Sequence, residues 1–304
     1  MVDTCIIYNP AAGRGQARRW IELARKWAAP NAELRASTGV GHAIELAQST
    51  ANEGFRRIIA AGGDGTVHEV ANGVLRSGKD CTLGVWPLGS ANDYAAALGI
   101  LNWWKKRGTI RLRPTKVDVA IIRGGGRELY YVNCLGIGFN GLVSAEARKI
   151  RGLRGLPLYT LALLKTLLWQ FATPPLQVQL DGKVTCRSTL SLSLNLGSRE
   201  GGFPISKAAR LDDGQLDVVH VGGLRRWELL RYMPALITGD LPTGHPELST
   251  GLCRRATISS DSPLCIHADG EMFLVPADGV KQVEVEIQPG QLTVEVGWPV
   301  RGAS

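Results

Sequence analysis

The sequence has no hydrophobic run long enough to cross a bilayer. Its most apolar stretch, Leu156 to Phe171, is interrupted by Lys165 and falls short of the roughly 18 to 20 residues a spanning helix needs. That stretch reads as a buried or amphipathic helix, or as one that lines an apolar substrate site or touches a membrane. Close cysteine pairs are also missing. Cys5, Cys81, Cys134, Cys186, Cys253 and Cys265 are scattered, which excludes the spacing of zinc and redox motifs and leaves reduced core residues. The first residues carry neither a basic segment nor a small-residue cleavage site, so a cytoplasmic protein is expected. Internal repeats and low-complexity segments are absent. So are two common nucleotide signatures: no Gly-Lys-Ser or Gly-Lys-Thr follows a glycine-rich loop, and no Gly-x-Gly-x-x-Gly follows the first strand.

What is present is a chain of 304 residues, more than one ordinary domain, so two lobes are expected. The net charge of +8 calls for an acidic partner, which composition alone leaves as nucleotide, nucleic acid or an anionic membrane face. Basic residues gather at Lys105 to Arg113 and at Arg148 to Arg154, where a solvated face is the plain alternative. Trp103-Trp104 ahead of Lys105-Lys106-Arg107 has the make-up of an interfacial anchor or of a packed surface helix.

The first third repeats a strand, a turn and an apolar-striped helix three times, the pattern of a parallel sheet wound with helices. Strand Thr4 to Tyr8 leads through Asn9-Pro10-Ala11-Ala12-Gly13 into a helix with Trp20, Leu23, Ala24 and Trp27 on one face. Strand Arg57 to Ala61 leads through Gly62-Gly63-Asp64-Gly65-Thr66 into a helix with the stripe Val67, Val70, Ala71 and Val74. Strand Thr82 to Trp86 leads through Pro87-Leu88-Gly89-Ser90 into Asp93 to Leu98. After about residue 116 the texture turns to strands. Asp181-Gly182 and Pro289-Gly290 read as hairpin turns, the latter between Val283 to Ile287 and Leu292 to Val296. The expected fold is therefore α/β: a doubly wound, mostly parallel sheet over residues 1–122 and a β-rich, largely antiparallel domain over 123–304, whose last strand can pack back on the first.

The loop at residues 62–66 carries the clearest chemistry. Its glycines let backbone approach phosphate oxygens, the helix start offers unpaired N–H groups, and Asp64 is a single carboxylate able to hold Mg²⁺ through water. The segment Arg210-Leu211-Asp212-Asp213-Gly214-Gln215 reads as a β-turn. Asp269-Gly270-Glu271 presents two carboxylates after the strand Leu264 to His267, and one could serve as a base. His267 and His245 read as hydrogen-bonded core residues.

These segments, taken in order, resemble the diacylglycerol kinase catalytic family, which includes sphingosine kinases and bacterial diacylglycerol and phosphatidylglycerol kinases. The matching pieces are Asn9-Pro10-Ala11-Ala12-Gly13, Gly62 to Glu69, Pro87-Leu88-Gly89-Ser90-Ala91-Asn92-Asp93, Leu211 to Asp217, and Asp269-Gly270-Glu271. The resemblance covers nearly the whole chain and implies an ATP- and Mg²⁺-dependent lipid kinase. It implies that Asn9, Pro10, Ala11, Ala12, Gly13, Thr38, Gly63, Asp64, Gly65, Thr66, Val67, His68, Glu69 and Ser90 line the ATP site. Ser90 stands where the family usually has threonine, which keeps the hydroxyl. It further implies a structural Mg²⁺ held by the Asp213 carboxylate and the carbonyls of Arg210 and Gln215. Glu271 is implied as the base that activates the lipid hydroxyl, with Asp269 as orienter or alternative base. The expected partner is a lipid at a membrane surface, with peripheral association and no nucleic acid; a homodimer is left open. Two rival readings remain: a kinase of the NAD kinase kind, which shares the Gly-Gly-Asp-Gly-Thr loop, and a nucleotide-binding regulator without catalysis.

Overall fold

The computed structural model describes residues 3–12, 17–101, 110–150, 152–153, 155–240 and 244–299. Gly13, Trp103, Trp104 and the basic run that follows them lie outside the described residues, apart from the end of that run. By its internal contacts the chain forms two compact units, one of residues 1–117 with 290–304 and one of residues 118–289.

In the first unit the elements run β1 (Thr4–Tyr8), α1 (Ala17–Ala28), β2 (Glu33–Ala36), α2 (His42–Asn52), β3 (Arg57–Gly62), α3 (Asp64–Ser77), β4 (Thr82–Pro87) and α4 (Asp93–Ala97). The strands β2, β1, β3 and β4 pair in that order, all parallel. Alternate residues bury on opposite faces. Ile6, Ile59, Ala61 and Trp86 meet Ala17 and Ile21 of α1, while Cys5, Ile7, Ile58 and Ala60 are fully buried on the other face, where α2 and α3 pack. Of the stripe expected on α1, Trp20 is 44% exposed and the side chains of Leu23, Ala24 and Trp27 lie outside the described residues; Ala17 and Ile21 are buried. On α3 the stripe of Val67, Val70, Ala71 and Val74 is buried. Gly73 lets α2 approach closely, since a Cβ there would strike the Ile44 carbonyl and the Ala47 side chain.

In the second unit strands predominate. The chain continues through β5 (Ile110–Gly124), β6 (Arg127–Tyr131), β7 (Cys134–Gly138), α5 (Phe139–Ala147), α6 (Leu156–Trp169), β8 (Pro175–Leu180) and β9 (Lys183–Asn195). Then come β10 (Arg199–Glu200), β11 (Phe203–Pro204), β12 (Leu216–Gly222), α7 (Arg226–Thr238), β13 (Leu248–Cys253), β14 (Arg255–Ser260), β15 (Ile266–Ala268), β16 (Glu271–Leu274) and β17 (Gln282–Pro299). The pairings β7–β9, β8–β9, β9–β12, β12–β13, β8–β14 and β7–β15 are antiparallel. Asp181 and Gly182, both at positive φ, make the two-residue turn between β8 and β9. Pro289-Gly290 is not a hairpin turn. β17 runs through it, pairing antiparallel with β14 before it and parallel with β4 after it, so each half joins a different unit and no strand returns on itself.

The expected α6 forms and buries Ala162, Leu163 and Leu167. Among the described residues no helix is long and apolar enough to cross a membrane. Cys186 is exposed; the other five cysteines are buried free thiols. Burial pushes the Cys5 and Cys265 thiols up to about 11 and that of Cys253 up to about 12, so none of these three is a thiolate near neutral pH.

Candidate active site

Parallel pairing puts the C-terminal ends of β1, β2, β3 and β4 on one edge of the first unit. The strand order reverses at β1 and β3, where ligands bind in open α/β sheets. The loops there are tied to one another by hydrogen bonds. Asn9 Oδ1 accepts the Ala11 N–H at 2.9 Å and shapes the turn after β1. Leu88 N–H donates to the Gly62 carbonyl at 2.7 Å, joining the loops after β3 and β4. Gly63 and Gly89 lie backbone against backbone: a Cβ on Gly63 would come within 3.2 Å of Gly89 Cα, and one on Gly89 would clash with Gly63 Cα. These glycines are required by proximity, with no positive φ involved.

Asp64 opens α3, with its oxygens turned to the next loop. Oδ2 accepts the Asn92 N–H at 2.8 Å and Oδ1 the Tyr94 N–H at 3.3 Å, at the start of α4. Asn92 sits in the left-handed region at φ 54, and its side chain exchanges two hydrogen bonds with Gly89. Asp64 is therefore a carboxylate fixed at the mouth of the glycine loop. Each of its oxygens can accept more than one hydrogen bond, so it suits a water-bridged Mg²⁺, a cation that prefers oxygen ligands and keeps several waters. Ser90 is exposed beside it.

The remaining expected nucleotide residues divide. The Val67 and His68 side chains turn inward, at 3% exposure each, and Thr66 is buried over Gly62. Glu69 reaches to α2, where its carboxylate accepts the Gly41 N–H at 2.8 Å and the Ala43 N–H at 3.1 Å; it braces the Thr38 loop from behind. Thr38 presents its N–H and its hydroxyl to Nδ1 of His42, at 3.0 and 2.8 Å. Sequence reasoning passed over His42.

In the second unit the Asp269-Gly270-Glu271 turn separates two roles. Asp269, 9% exposed and at φ 53, accepts the N–H groups of Val132, Asn133 and Cys134 at 3.0, 2.9 and 3.0 Å. Its carboxylate holds that segment in place. Glu271 is more accessible and pairs with Arg148 at the end of α5. His267 is fully buried and hydrogen-bonded: Nδ1 accepts the Gly270 N–H at 3.2 Å, and Nε2 lies 2.9 Å from Glu200 Oε1. His245 likewise packs edge-on to Tyr232 and accepts the Glu247 N–H.

Beside that turn lies a small, partly open cavity of about 90 Å³, lined by Phe139, Val143, Leu163, Phe203 and Leu229 among its apolar walls, with Asn140, Ser144, Tyr159 and Glu200 as polar groups. Glu200 was not anticipated. The signal was available, because Arg199-Glu200-Gly201-Gly202 is a carboxylate in a glycine turn after an apolar strand, the same cue that marks Asp64.

The loop at Arg210 to Gln215 is a tight turn. Gly214, at φ 71, donates its N–H to Asp118 at 2.7 Å, and Asp213 Oδ1 accepts the Gln215 N–H at 3.1 Å. Among the described residues no group of three or more His, Cys, Asp or Glu side chains gathers as a metal site. An exposed carboxylate beside turn carbonyls is an all-oxygen donor set, which fits a hydrated Mg²⁺ without such a cluster.

Residues 3–122 match the diacylglycerol kinase catalytic domain, and residues 133–296 match the YegS C-terminal NAD kinase beta sandwich-like domain. Diacylglycerol kinases of Staphylococcus aureus strains MRSA252 and bovine RF122 / ET3-1 are each 30% identical over 273 residues, covering 88% of this chain and 85% of theirs. A solved diacylglycerol kinase of Bacillus anthracis str. Sterne superposes with a TM-score of 0.69 at 21% identity, over 97% of both chains. A second structure from that organism gives 0.75 at 23%, again over 97% of both.

Proposed function

This chain belongs to the diacylglycerol kinase catalytic family, and from that premise we propose that it is a lipid kinase that transfers the terminal phosphate of ATP to a lipid hydroxyl. The observation that carries the reading is the interlock of the two glycine loops beside Asp64, which brings bare backbone and one fixed carboxylate together at the C-terminal edge of the parallel sheet.

In this reading the phosphates of ATP meet the N–H groups at the start of α3, where the helix dipole favours an anion. Asn9, Thr38 and Ser90 border the same edge. Mg²⁺, when bound with the nucleotide, offsets the charge of the phosphates, and Asp64 is the group that holds it through water. Asp213, with the carbonyls of Arg210 and Gln215, would hold a second, structural Mg²⁺. The apolar cavity takes the acceptor lipid, and Glu271 accepts the proton of the attacking hydroxyl on a carboxylate oxygen. Arg148, paired with that carboxylate, holds it in place at the end of α5. Asp269, engaged by three N–H groups, orients the turn. A positioned base contributes about 10²- to 10⁴-fold. Exposed Leu168 and Trp169 on α6 and exposed Trp227 and Leu230 on α7, with Arg225 and Arg226 beside the latter pair, support peripheral contact with an anionic membrane.

The test is transfer of labelled γ-phosphate from ATP·Mg²⁺ to diacylglycerol, monoacylglycerol, phosphatidylglycerol, ceramide and sphingosine in mixed micelles, with NAD in the same panel. Labelling of a lipid by the wild type, lost by at least 100-fold in a folded Glu271→Gln variant, supports both the activity and the base. Labelling of NAD alone overturns the lipid reading.

A further inference from the structure

A carboxylate in an apolar wall persists only where hydrogen bonds hold it. Glu200 has two such partners: His267 at Oε1, and the Asn140 amide, which donates to Oε2 at 3.2 Å. His267 Nδ1 accepts the Gly270 N–H, which leaves Nε2 as the ring nitrogen that donates to Glu200. Each carboxylate oxygen can accept a second hydrogen bond, and Glu200 lines the cavity with its side chain 15% exposed.

The placement of this carboxylate is built into the unit. Gly201 and Gly202, both at positive φ, turn β10 into β11, and Asn133 Nδ2 donates to the Arg199 carbonyl at 2.8 Å. Asn133 is itself held through its N–H by Asp269. Tyr159 ties this turn to the proposed base. Its ring lies against Gly201, where a Cβ would come within 3.0 Å, and its hydroxyl lies 3.7 Å from a Cβ built on Gly270. Glu200 and Glu271 therefore flank the two glycines that one tyrosine touches.

We propose that Glu200 reads the head of the acceptor: the cavity takes a lipid that carries, beside the hydroxyl to be phosphorylated, a second hydrogen-bond donor, which bonds to Glu200. The donor is a hydroxyl or an ammonium group. Either would add to the coordination of a partly buried carboxylate that has one hydrogen-bond partner on each oxygen, and hydrogen bonds to a carboxylate are the stronger kind. Diacylglycerol has one free hydroxyl and nothing further to offer. This assignment rests on the lipid-kinase reading and names the class of acceptor within it.

The test is equilibrium binding of labelled lipid in detergent micelles without nucleotide, using monoacylglycerol, a sphingoid base and diacylglycerol against wild type, Glu200→Gln and Glu200→Asp. The wild type is expected to prefer a two-donor lipid over diacylglycerol, and Glu200→Gln to lower that preference ratio at least tenfold. A collapse confined to the sphingoid arm identifies the ammonium, and one confined to the monoacylglycerol arm the hydroxyl. Glu200→Asp keeps the charge but withdraws it, and an intermediate ratio is expected should the glutamine variant not fold. Ratios unchanged in both arms, or equal weakening of all three lipids, overturn the proposal. Failure of phosphate transfer in the wild type counts against the kinase reading alone, because these ratios are read without ATP.

Discussion

Asp269→Asn separates a structural carboxylate from a catalytic one. In the native turn Asp269 accepts three backbone N–H groups from residues 132–134 while its own backbone occupies the left-handed region at φ 53. Asparagine tolerates that φ as well as aspartate does, so the substitution leaves the backbone unstrained and removes only charge and acceptor capacity. Hydrogen bonds to a charged group contribute about 1.5–3 kcal/mol each, and breaking a buried charged network from one side costs about 3–5 kcal/mol. The amide keeps one carbonyl acceptor but turns an NH₂ donor towards donors, so a loss of about 3 kcal/mol is expected. With a urea m-value of about 2 kcal/mol/M, that shifts the midpoint down by about 1.5 M. Hydrogen exchange gives the local readout: the amides of Val132, Asn133 and Cys134 should lose protection before their neighbours. Glu271→Gln, which removes a side-chain pair at a more accessible position, should leave the midpoint within about 0.5 M. A folded Asp269→Asn protein with a native midpoint and protected amides would refute the assignment and return Asp269 to the list of bases.

Two further outcomes follow from buried contacts. Burial lowers the His220 pKa from its ordinary 6.5 to about 4, so the unfolded chain binds that proton first. Its contribution is fully present above pH 6.5 and is lost as pH falls towards 4, roughly 3 kcal/mol at 1.36 kcal/mol per unit, and His220→Gln should flatten that part of a stability-against-pH curve. Gly89→Ala places a Cβ against Gly63 Cα and 2.8 Å from Asn92 Oδ1. The glycine loops must part, and binding of a non-hydrolysable ATP analogue should weaken at least tenfold in a protein whose circular dichroism is unchanged; native affinity would show that the loops do not touch the nucleotide.

β1, β3 and β4 of the parallel sheet were legible because they are largely buried apolar runs, each followed by a turn of distinctive chemistry, whereas the edge strand β2, Glu33-Leu34-Arg35-Ala36, was missed because it is short, charged and half-exposed. The Asp181-Gly182 hairpin was legible because two consecutive residues at positive φ need that dipeptide. Pro289-Gly290 misled because the same residues that close a hairpin can bend a strand that is passed from one unit to the other. Trp20 was misplaced because helical spacing says nothing of which face meets the sheet, and it is the smaller Ala17 and Ile21 that are buried there. At the site, loop residues such as Asn9 and Asp64 announced themselves through neighbouring glycines. The clamp made by Asp269 did not, because its three donors come from a segment more than 130 positions earlier in the chain. Glu69 was equally opaque: its sequence neighbours place it in the phosphate loop, while its carboxylate serves α2.

The partners of the motif carboxylates bear on which of them can do chemistry. Asp64, Glu69, Asp213 and Asp269 each accept backbone N–H groups, donors that cannot leave without moving a loop. Glu271 and Glu200 are held by side chains, through Arg148 in one case and through His267 and Asn140 in the other. A base must exchange its partner for a substrate proton, and a reader of the acceptor must add one. Side-chain partners allow both, because a guanidinium or an amide can swing aside by rotamer change at far lower cost than a peptide plane can turn. The backbone-bound carboxylates are consequently the fixed frame, and the two glutamates on either side of Tyr159 are where a reacting lipid head would find groups free to respond to it.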